Sequence, residues 1–271
     1  MPANRRRLDA ELVKRKIARS RKQAVEMIKD GRVAVNGFAA RKPATMVDGA
    51  VSIRVEKSDA DDWASRGAHK LLGAVEAFGI DFTDKRVLDA GASTGGFTDV
   101  ALRHGAREVV AVDVGYGQLA WRLQNDPRVR VCDRTNVRHL EPDTVGGLCD
   151  VMVGDLSFIS LRLVLPAIVK CLRDGAELYP MVKPQFEVGK DRLGSGGVVK
   201  SPQLRAEVTR DVAEFAVGLG LSCHGVSASP LPGPSGNVEY FLALGADGGA
   251  SQPDAATLES MIDRAIEEGP R

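Results

Sequence analysis

From residue 86 to residue 244, short apolar runs alternate with amphipathic stretches, and this alternation restricts the fold more than any other feature of the chain. Segments 86–90, 108–113, 129–132, 150–154, 176–182, 221–228 and 238–244 read as strands. Segments 98–104, 119–124, 161–172 and 203–218 read as helices between them. The strands are nearly continuous in apolar residues, which fits a sheet covered on both faces. Strand and helix in alternation predict a doubly wound, mostly parallel α/β sheet. A weaker helix over 255–266 follows Gly248-Gly249.

The first 57 residues have a different rhythm. Leu8, Leu12 and Val13, then Ala24, Val25 and Ile28, recur at helical spacing. Ser20 is placed to cap the second helix, and Gly31 to close it in the left-handed conformation. Residues 33–37 form a strand that ends in the turn Asn36-Gly37, and 51–55 alternate as a second strand. This gives a small α+β module over 1–57, a polar linker over 58–64 and the α/β body over 65–271.

Charge separates the two parts. The module carries fifteen Lys and Arg against six Asp and Glu, a net of +9, while the rest of the chain is at −8. A basic head on an acidic body points to a polyanion as partner. Arg5, Arg6, Arg7, Arg19, Arg21, Lys22, Arg41 and Lys42 are the candidates to meet it. Cys132, Cys149, Cys171 and Cys223 form no Cys-x-x-Cys pair and have no His at metal-ligand spacing, so they read as small buried hydrophobes and no metal site is expected. The sequence shows neither an apolar leader segment nor a run long enough to span a bilayer, so a cytoplasmic protein is expected.

The loop after the first body strand reads Asp89-Ala90-Gly91-Ala92-Ser93-Thr94-Gly95-Gly96 and opens a helix. Its glycines let backbone approach a ligand, but the spacing is not that of a dinucleotide turn, and no Gly-Lys-Ser/Thr follows. Asp-x-Gly-x-x-x-Gly-Gly resembles the S-adenosylmethionine loop of class I methyltransferases. Asp113, at the end of the next strand, is placed for a ribose diol. Asp133, at the end of the third, lies where such enzymes hold adenine. Asp89, Gly91, Ala92, Ser93, Thr94, Gly95, Gly96, Asp113, Asp133 and Asp155 are therefore the expected cofactor residues.

Lys70, Asp155, Lys183 and Glu239 form a chemically coherent set. A ribose 2'-hydroxyl is barely ionised at neutral pH and must be deprotonated or polarised as it attacks a methyl donor. A lysine can do this if a second nearby cation lowers its pKa, with carboxylates to orient the pair. Lys183 is the expected activating group, Asp155 its aligning partner, Lys70 the second cation and Glu239 the orienting acid. Each also has a plainer alternative: Asp155, for instance, could cap a helix. Phe158, Phe186, Tyr116 and Trp63 are candidates to stack on a flipped base or on adenine, or to serve the core; for Trp63, at the junction, domain packing is the expected role.

At these residues the resemblance becomes specific. Ser65-Arg66-Gly67-Ala68-His69-Lys70-Leu71, the string from Asp113 to Leu119, Asp155-Leu156-Ser157-Phe158, Val182-Lys183-Pro184-Gln185-Phe186-Glu187 and the string from Ser229 to Asn237 resemble the TlyA family over residues 5–245. Arg7-Leu8-Asp9 with Ala18-Arg19-Ser20-Arg21 is similar to an S4-type RNA-binding domain. The resemblance implies a Rossmann-like class I methyltransferase with an S4-like head. The implied activity is S-adenosylmethionine-dependent 2'-O-methylation of cytidine in small- and large-subunit ribosomal RNA, associated in actinobacterial members with capreomycin susceptibility. It also implies the four-residue catalytic set, here Lys70, Asp155, Lys183 and Glu239, and carries an old haemolysin label.

Three other readings fit less well. A membrane-active haemolysin would need a spanning segment or an amphipathic membrane helix, and neither is visible. A non-catalytic rRNA-binding protein would not need the intact tetrad and loop. A small-molecule or protein methyltransferase would not need the +9 head. No obligate protein partner is evident.

Overall fold

The computed structural model describes residues 5–18, 20–55, 63–194 and 196–270, the side chain of Lys190 excepted. Contacts divide the chain into two compact units, Met1–Asp62 and Trp63–Arg271. Residues 58–62 of the expected linker, and Arg19, lie outside the described residues, whereas Trp63 and Ala64 pack within the second unit.

In the first unit, β1 (Arg6–Arg7) leads directly into α1 (Leu8–Lys14), and α2 (Arg21–Lys29) follows. The helices pack through Leu8, Leu12, Ala24, Met27 and Ile28, all buried. The Ser20 hydroxyl accepts from the Gln23 amide at 3.2 Å, capping α2 as its sequence position demands. Gly31 follows the helix at φ +74°. β2 (Val33–Val35) and β3 (Phe38–Ala39) form a hairpin whose two turn residues, Asn36 and Gly37, both have positive φ. That matches the right-handed strand twist. β4 (Met46–Val47) pairs with β1, and β5 (Ile53–Val55) pairs with the other edge of β2.

The second unit contains a seven-stranded sheet. Its strands are β6 (Arg86–Ala90), β7 (Glu108–Val112), β8 (Val129–Cys132), β9 (Cys149–Gly154), β10 (Leu172–Val182), β11 (Ser222–Ala228) and β12 (Tyr240–Gly245). Their order is β11-β12-β10-β9-β6-β7-β8. The five from β8 to β10 are parallel, and β12 runs antiparallel to both neighbours. The helices are α3 (Ala68–Phe78), α4 (Gly96–Arg103), α5 (Trp121–Gln124), α6 (Pro142–Val145), α7 (Leu161–Lys170), α8 (Pro184–Glu187), α9 (Pro202–Gly218) and α10 (Ala255–Glu268). One core packs α3 and α4 on one face of the sheet; another packs α7, α9 and α10 on the other.

The main departure from the sequence reading lies at 171–175. The helix expected to 172 stops at Lys170, and β10 starts at Leu172 instead of 176. Its first part is irregular: the pairing with β9 shifts register between Leu172 and Glu177, Arg173 and Asp174 are exposed, and Gly175 has φ +76°. A polar, bulged strand start carries no apolar signal. All four cysteines are free; Cys149, Cys171 and Cys223 are buried as expected, but Cys132 is only half-buried.

In the first unit Asp9 is buried, and its carboxylate accepts from Arg7 at 2.9 and 3.1 Å and from Arg21 at 3.0 Å. The Arg7 guanidinium, with Arg21 and the Ala10 amide, holds this carboxyl well below the usual carboxylate range. A depressed native pKa contributes stability above the unfolded-state value, and that contribution is lost as pH falls through the native one. Asp9→Asn is therefore expected to lower the unfolding midpoint by a few degrees near neutral pH. The gap to wild type should close as the medium is acidified, a trend that thermal melts across a pH series will reveal.

Candidate active site

Four elements deliver the tetrad to one place. Asp155 follows β9 and Lys183 follows β10, at adjacent positions on the carboxyl edge of the parallel strands. Because β12 is antiparallel, its beginning lies at that same edge, with Tyr240 opposite Val182. Glu239, one residue earlier, thus comes level with Lys183. Lys70 arrives from the first turn of α3.

The groups make one connected array. Lys70 Nζ donates to Glu239 Oε2 at 2.6 Å and to Asp155 Oδ2 at 3.4 Å. Lys183 Nζ lies 2.5 Å from Asp155 Oδ1 and donates to the Ser157 hydroxyl at 2.8 Å. Asp155 therefore bridges two ammonium groups. Lys70, Lys183 and Glu239 are 8, 6 and 1% exposed, whereas the Asp155 side chain is open at 22%. Burial pulls the Lys70 pKa down, but Asp155 and Glu239 together outweigh it and hold it above its ordinary value. Lys70 thus stays charged at neutral pH.

Asp155 is not a helix cap: Ser160 caps α7, its hydroxyl accepting from the Arg162 amide at 3.2 Å. Glu239 Oε1 is buried without a hydrogen-bond partner among the described residues. Gly233 packs so closely that a Cβ there would stand 2.5 Å from this oxygen.

Beside the array lies a cleft of about 480 Å³, bounded by Gly91, Ser93, Asp113, Asn136, Asp155 and Phe158, with further residues of the same loops. Of the expected cofactor residues, Asp89, Ala92, Thr94, Gly95, Gly96 and Asp133 are not on this wall. Gly95 has φ +95° and a Cβ there would strike Leu119 and Leu123; at Gly96 it would strike Ser65 Oγ and the Ala68 amide. These two glycines serve helix packing. Gly91 lines the cleft, but its φ of +86° and the Asp155 carbonyl 3.1 Å from a built Cβ already require glycine without any ligand. Asp113 accepts from the Ser93 and Gly115 amides at 2.8 and 2.7 Å, so it shapes both loops it borders. Asp133 accepts from the Gly117 amide at 2.8 Å.

Asp89 is fully buried. One oxygen accepts from the Thr98 hydroxyl at 2.6 Å and the other has no partner among the described residues. Burial, and then the nearby negative charges of Asp155 and Asp113, push its pKa up to about 7 against the pull of Thr98. Three acids thus crowd this edge of the sheet. That donor set suits a ligand carrying positive charge beside a hydroxylated sugar, and S-adenosylmethionine, with its sulfonium, ammonium and ribose, is such a ligand. Asp113 would take the ribose and the backbone at Gly91 and Ser93 would border the aminoacyl part, while Thr135 and Asn136 also line the cleft.

Among the aromatic candidates, Phe158 is 90% exposed, has φ +65° and meets the ring of Phe186 at 5.1 Å. Tyr116 stacks under Arg134, and Trp63 under Arg103 within the second unit. The expected polyanion-binding residues Arg5, Arg6, Arg7, Arg21, Lys22, Arg41 and Lys42 are all exposed. Ser157 and Glu187 were not foreseen. Each acts through a partner some 26 residues away, which no local spacing reveals.

The FtsJ-like methyltransferase family matches residues 63–246, and the S4 domain family matches residues 6–52. The chain is 57% identical to the 16S/23S rRNA (cytidine-2'-O)-methyltransferase TlyA of Mycobacterium tuberculosis over 272 aligned positions, covering 99% of this chain and 100% of the relative. It is 34% identical to Hemolysin A of Brachyspira hyodysenteriae, over 87% of this chain and 98% of that one. A solved structure from Streptococcus thermophilus, also named as a hemolysin, superposes with a TM-score of 0.75 at 37% identity, covering 97% of this chain and 96% of that one.

The Asp89 environment predicts that cofactor binding depends on pH. A cationic ligand favours the ionised carboxylate, so affinity for S-adenosylmethionine should rise as pH increases through about 7. Asp89→Asn should flatten that rise relative to wild type in calorimetric titrations at pH values on either side. Parallel pH curves for the two proteins would remove Asp89 from the binding equilibrium.

Proposed function

This chain belongs to the TlyA family of FtsJ-like methyltransferases, and we propose that it transfers a methyl group from S-adenosylmethionine to the 2'-hydroxyl of cytidine in ribosomal RNA of both subunits. The observation that carries this reading at the level of residues is the single half-open carboxylate of Asp155 held between two buried lysines beside the cleft.

The cofactor supplies an electrophilic methyl whose departing group needs no acid. The chain's own task is therefore the nucleophile. Lys70, closed in by Glu239 and kept charged, fixes Asp155 from one side and contributes the positive field. Lys183, held by Asp155 and Ser157, first gives up the proton of its ammonium to solvent and then, as the neutral amine, takes the hydroxyl proton during attack. The outer face of Asp155 aligns the incoming sugar. Phe158, held exposed in a backbone conformation uncommon for its type, is proposed to stack on the base turned out of the RNA.

Division of labour follows the charge. Residues up to 57 form the anchoring domain and those from 63, where Trp63 and Ala64 already pack in the second unit, the catalytic one. Arg5, Arg6, Arg7, Arg19, Arg21, Lys22, Arg41 and Lys42 are proposed to meet RNA phosphates, giving affinity and orientation rather than base choice. The capreomycin association belongs to the same reading, since the drug would sense the modified nucleotides. Some relatives carry haemolysin names; among the described residues of this chain no helix is long and apolar enough to cross a membrane.

Lys183→Ala should slow single-turnover methylation of purified ribosomal subunits by about 10²–10⁴-fold while leaving S-adenosylmethionine affinity nearly intact. Near-normal turnover in that variant would overturn the assignment. Arg21→Glu should instead weaken RNA binding and lessen its salt dependence, with the cofactor affinity unchanged. A filter-binding series across salt concentrations separates the two effects.

A further inference from the structure

We infer that Glu187 is a positioning residue for methyl transfer: its buried carboxylate staples the loop that carries Asp155 to the turn that carries Lys183. The inference rests on the proposed roles of those two residues and adds a residue to which no function has been assigned.

The two reacting groups sit on separate loops. Asp155 is followed by 156–160 and then α7; Lys183 is followed directly by the single turn of α8. A lysine on one loop and an aspartate on another keep a fixed separation only if the loops are tied together beyond the pair itself. Glu187 closes α8 and is 5% exposed. Its Oε2 accepts from the Ser160 hydroxyl at 2.6 Å, and its Oε1 accepts from the Leu161 amide at 2.7 Å. The Glu187 carbonyl accepts from Arg162 at 3.2 Å. The first amides of a helix have no partner within it, and a negative charge is favoured there. Glu187 supplies both an acceptor and a charge to the ten-residue helix α7 from a different loop.

Three contacts lie between the staple and the chemistry. The Phe186 ring meets Phe158, the Lys183 amine meets Ser157, and Lys183 meets Asp155. The Phe186 amide also donates to the Lys183 carbonyl at 2.8 Å, so α8 is a rigid bracket from Lys183 to Glu187. The loops are thus laced together at four successive levels. Of the four, only the outermost contains a buried hydrogen bond, that from the Leu161 amide, and it is made by a carboxylate with two donors and without reach to the cleft. Burial pushes the Glu187 pKa up while Ser160, Leu161 and Arg162 pull it down, the mark of an acid that depends on its donors. Without the staple, the Lys183–Asp155 separation would widen.

The test compares Glu187→Ala, Glu187→Gln and Lys183→Ala in single-turnover transfer from radiolabelled S-adenosylmethionine to purified ribosomal subunits. Cofactor affinity and thermal midpoint are measured on the same preparations. Glu187→Ala should lose roughly 10–100-fold in rate per folded molecule, the scale of a misplacement of about 1 Å, with cofactor affinity unchanged. Glu187→Gln should restore most of the rate, because an amide can accept from Leu161 and donate to Ser160. If Glu187→Ala does not fold, Glu187→Asp, one methylene too short to span both donors, is expected to show the same loss. A wild-type rate per folded molecule in the Ala or Asp variant overturns the inference, as does a Gln variant as slow as Ala. Unimpaired Lys183→Ala would instead sink the catalytic assignment beneath it.

Discussion

The Asp155 carboxylate is the interaction on which this catalytic unit turns. It lies within ion-pair distance of two lysines that are themselves almost wholly buried, and only one face of it is open. Buried ions are costly, and replacing such arrays by apolar groups often leaves a protein as stable or more so. The array is therefore better explained by chemistry than by stability. Glu239 completes the compensation: without it, Lys70 and Lys183 would share one carboxylate and leave buried charge unbalanced. With it, Lys70 is held charged, and Lys183 is the residue we propose for proton transfer.

The sheet exists in this form to deliver those groups. Parallel β9 and β10 place Asp155 and Lys183 side by side at their carboxyl ends, and antiparallel β12 brings Glu239 to the same edge by its beginning. One reversed strand thus lets a residue that precedes a strand meet residues that follow strands. The fourth member comes from outside the sheet, on α3, and is held by the core that includes Ala68, Leu71 and Ala74. The S4 unit shows the same economy on a smaller scale. Buried Asp9 orders two exposed arginines, Arg7 and Arg21, so that part of a basic surface has a defined geometry before any polyanion arrives.

Much of this was legible in the residues because the signals are local. Asn36-Gly37 demanded a tight hairpin, Ser20 a helix start, and the apolar runs a buried sheet. The tetrad was legible from its four strings, each at a strand edge or helix start. What stayed hidden depends on distance in sequence. Ser157 and Glu187 are ordinary residues until the fold brings them to Lys183 and to the start of α7. The glycines of the cofactor loop were read as one class, yet Gly95 and Gly96 answer to helix packing and Gly91 to its backbone angle and the Asp155 carbonyl. Asp89 was expected among the cofactor residues, but it is fully buried and not on the wall of the cleft. The start of β10 was missed because Arg173, Asp174 and Gly175 are polar and bulged.

The central claim is that the two lysines and the two acids act as one device through Asp155. A double-mutant cycle on Lys70 and Lys183, read in single-turnover methylation of ribosomal subunits, tests it most directly. If the array is a unit, the double Ala variant should be about as slow as the slower single variant, because the first substitution already dismantles the device. Losses that multiply, with each lysine contributing independently of the other, would contradict the account.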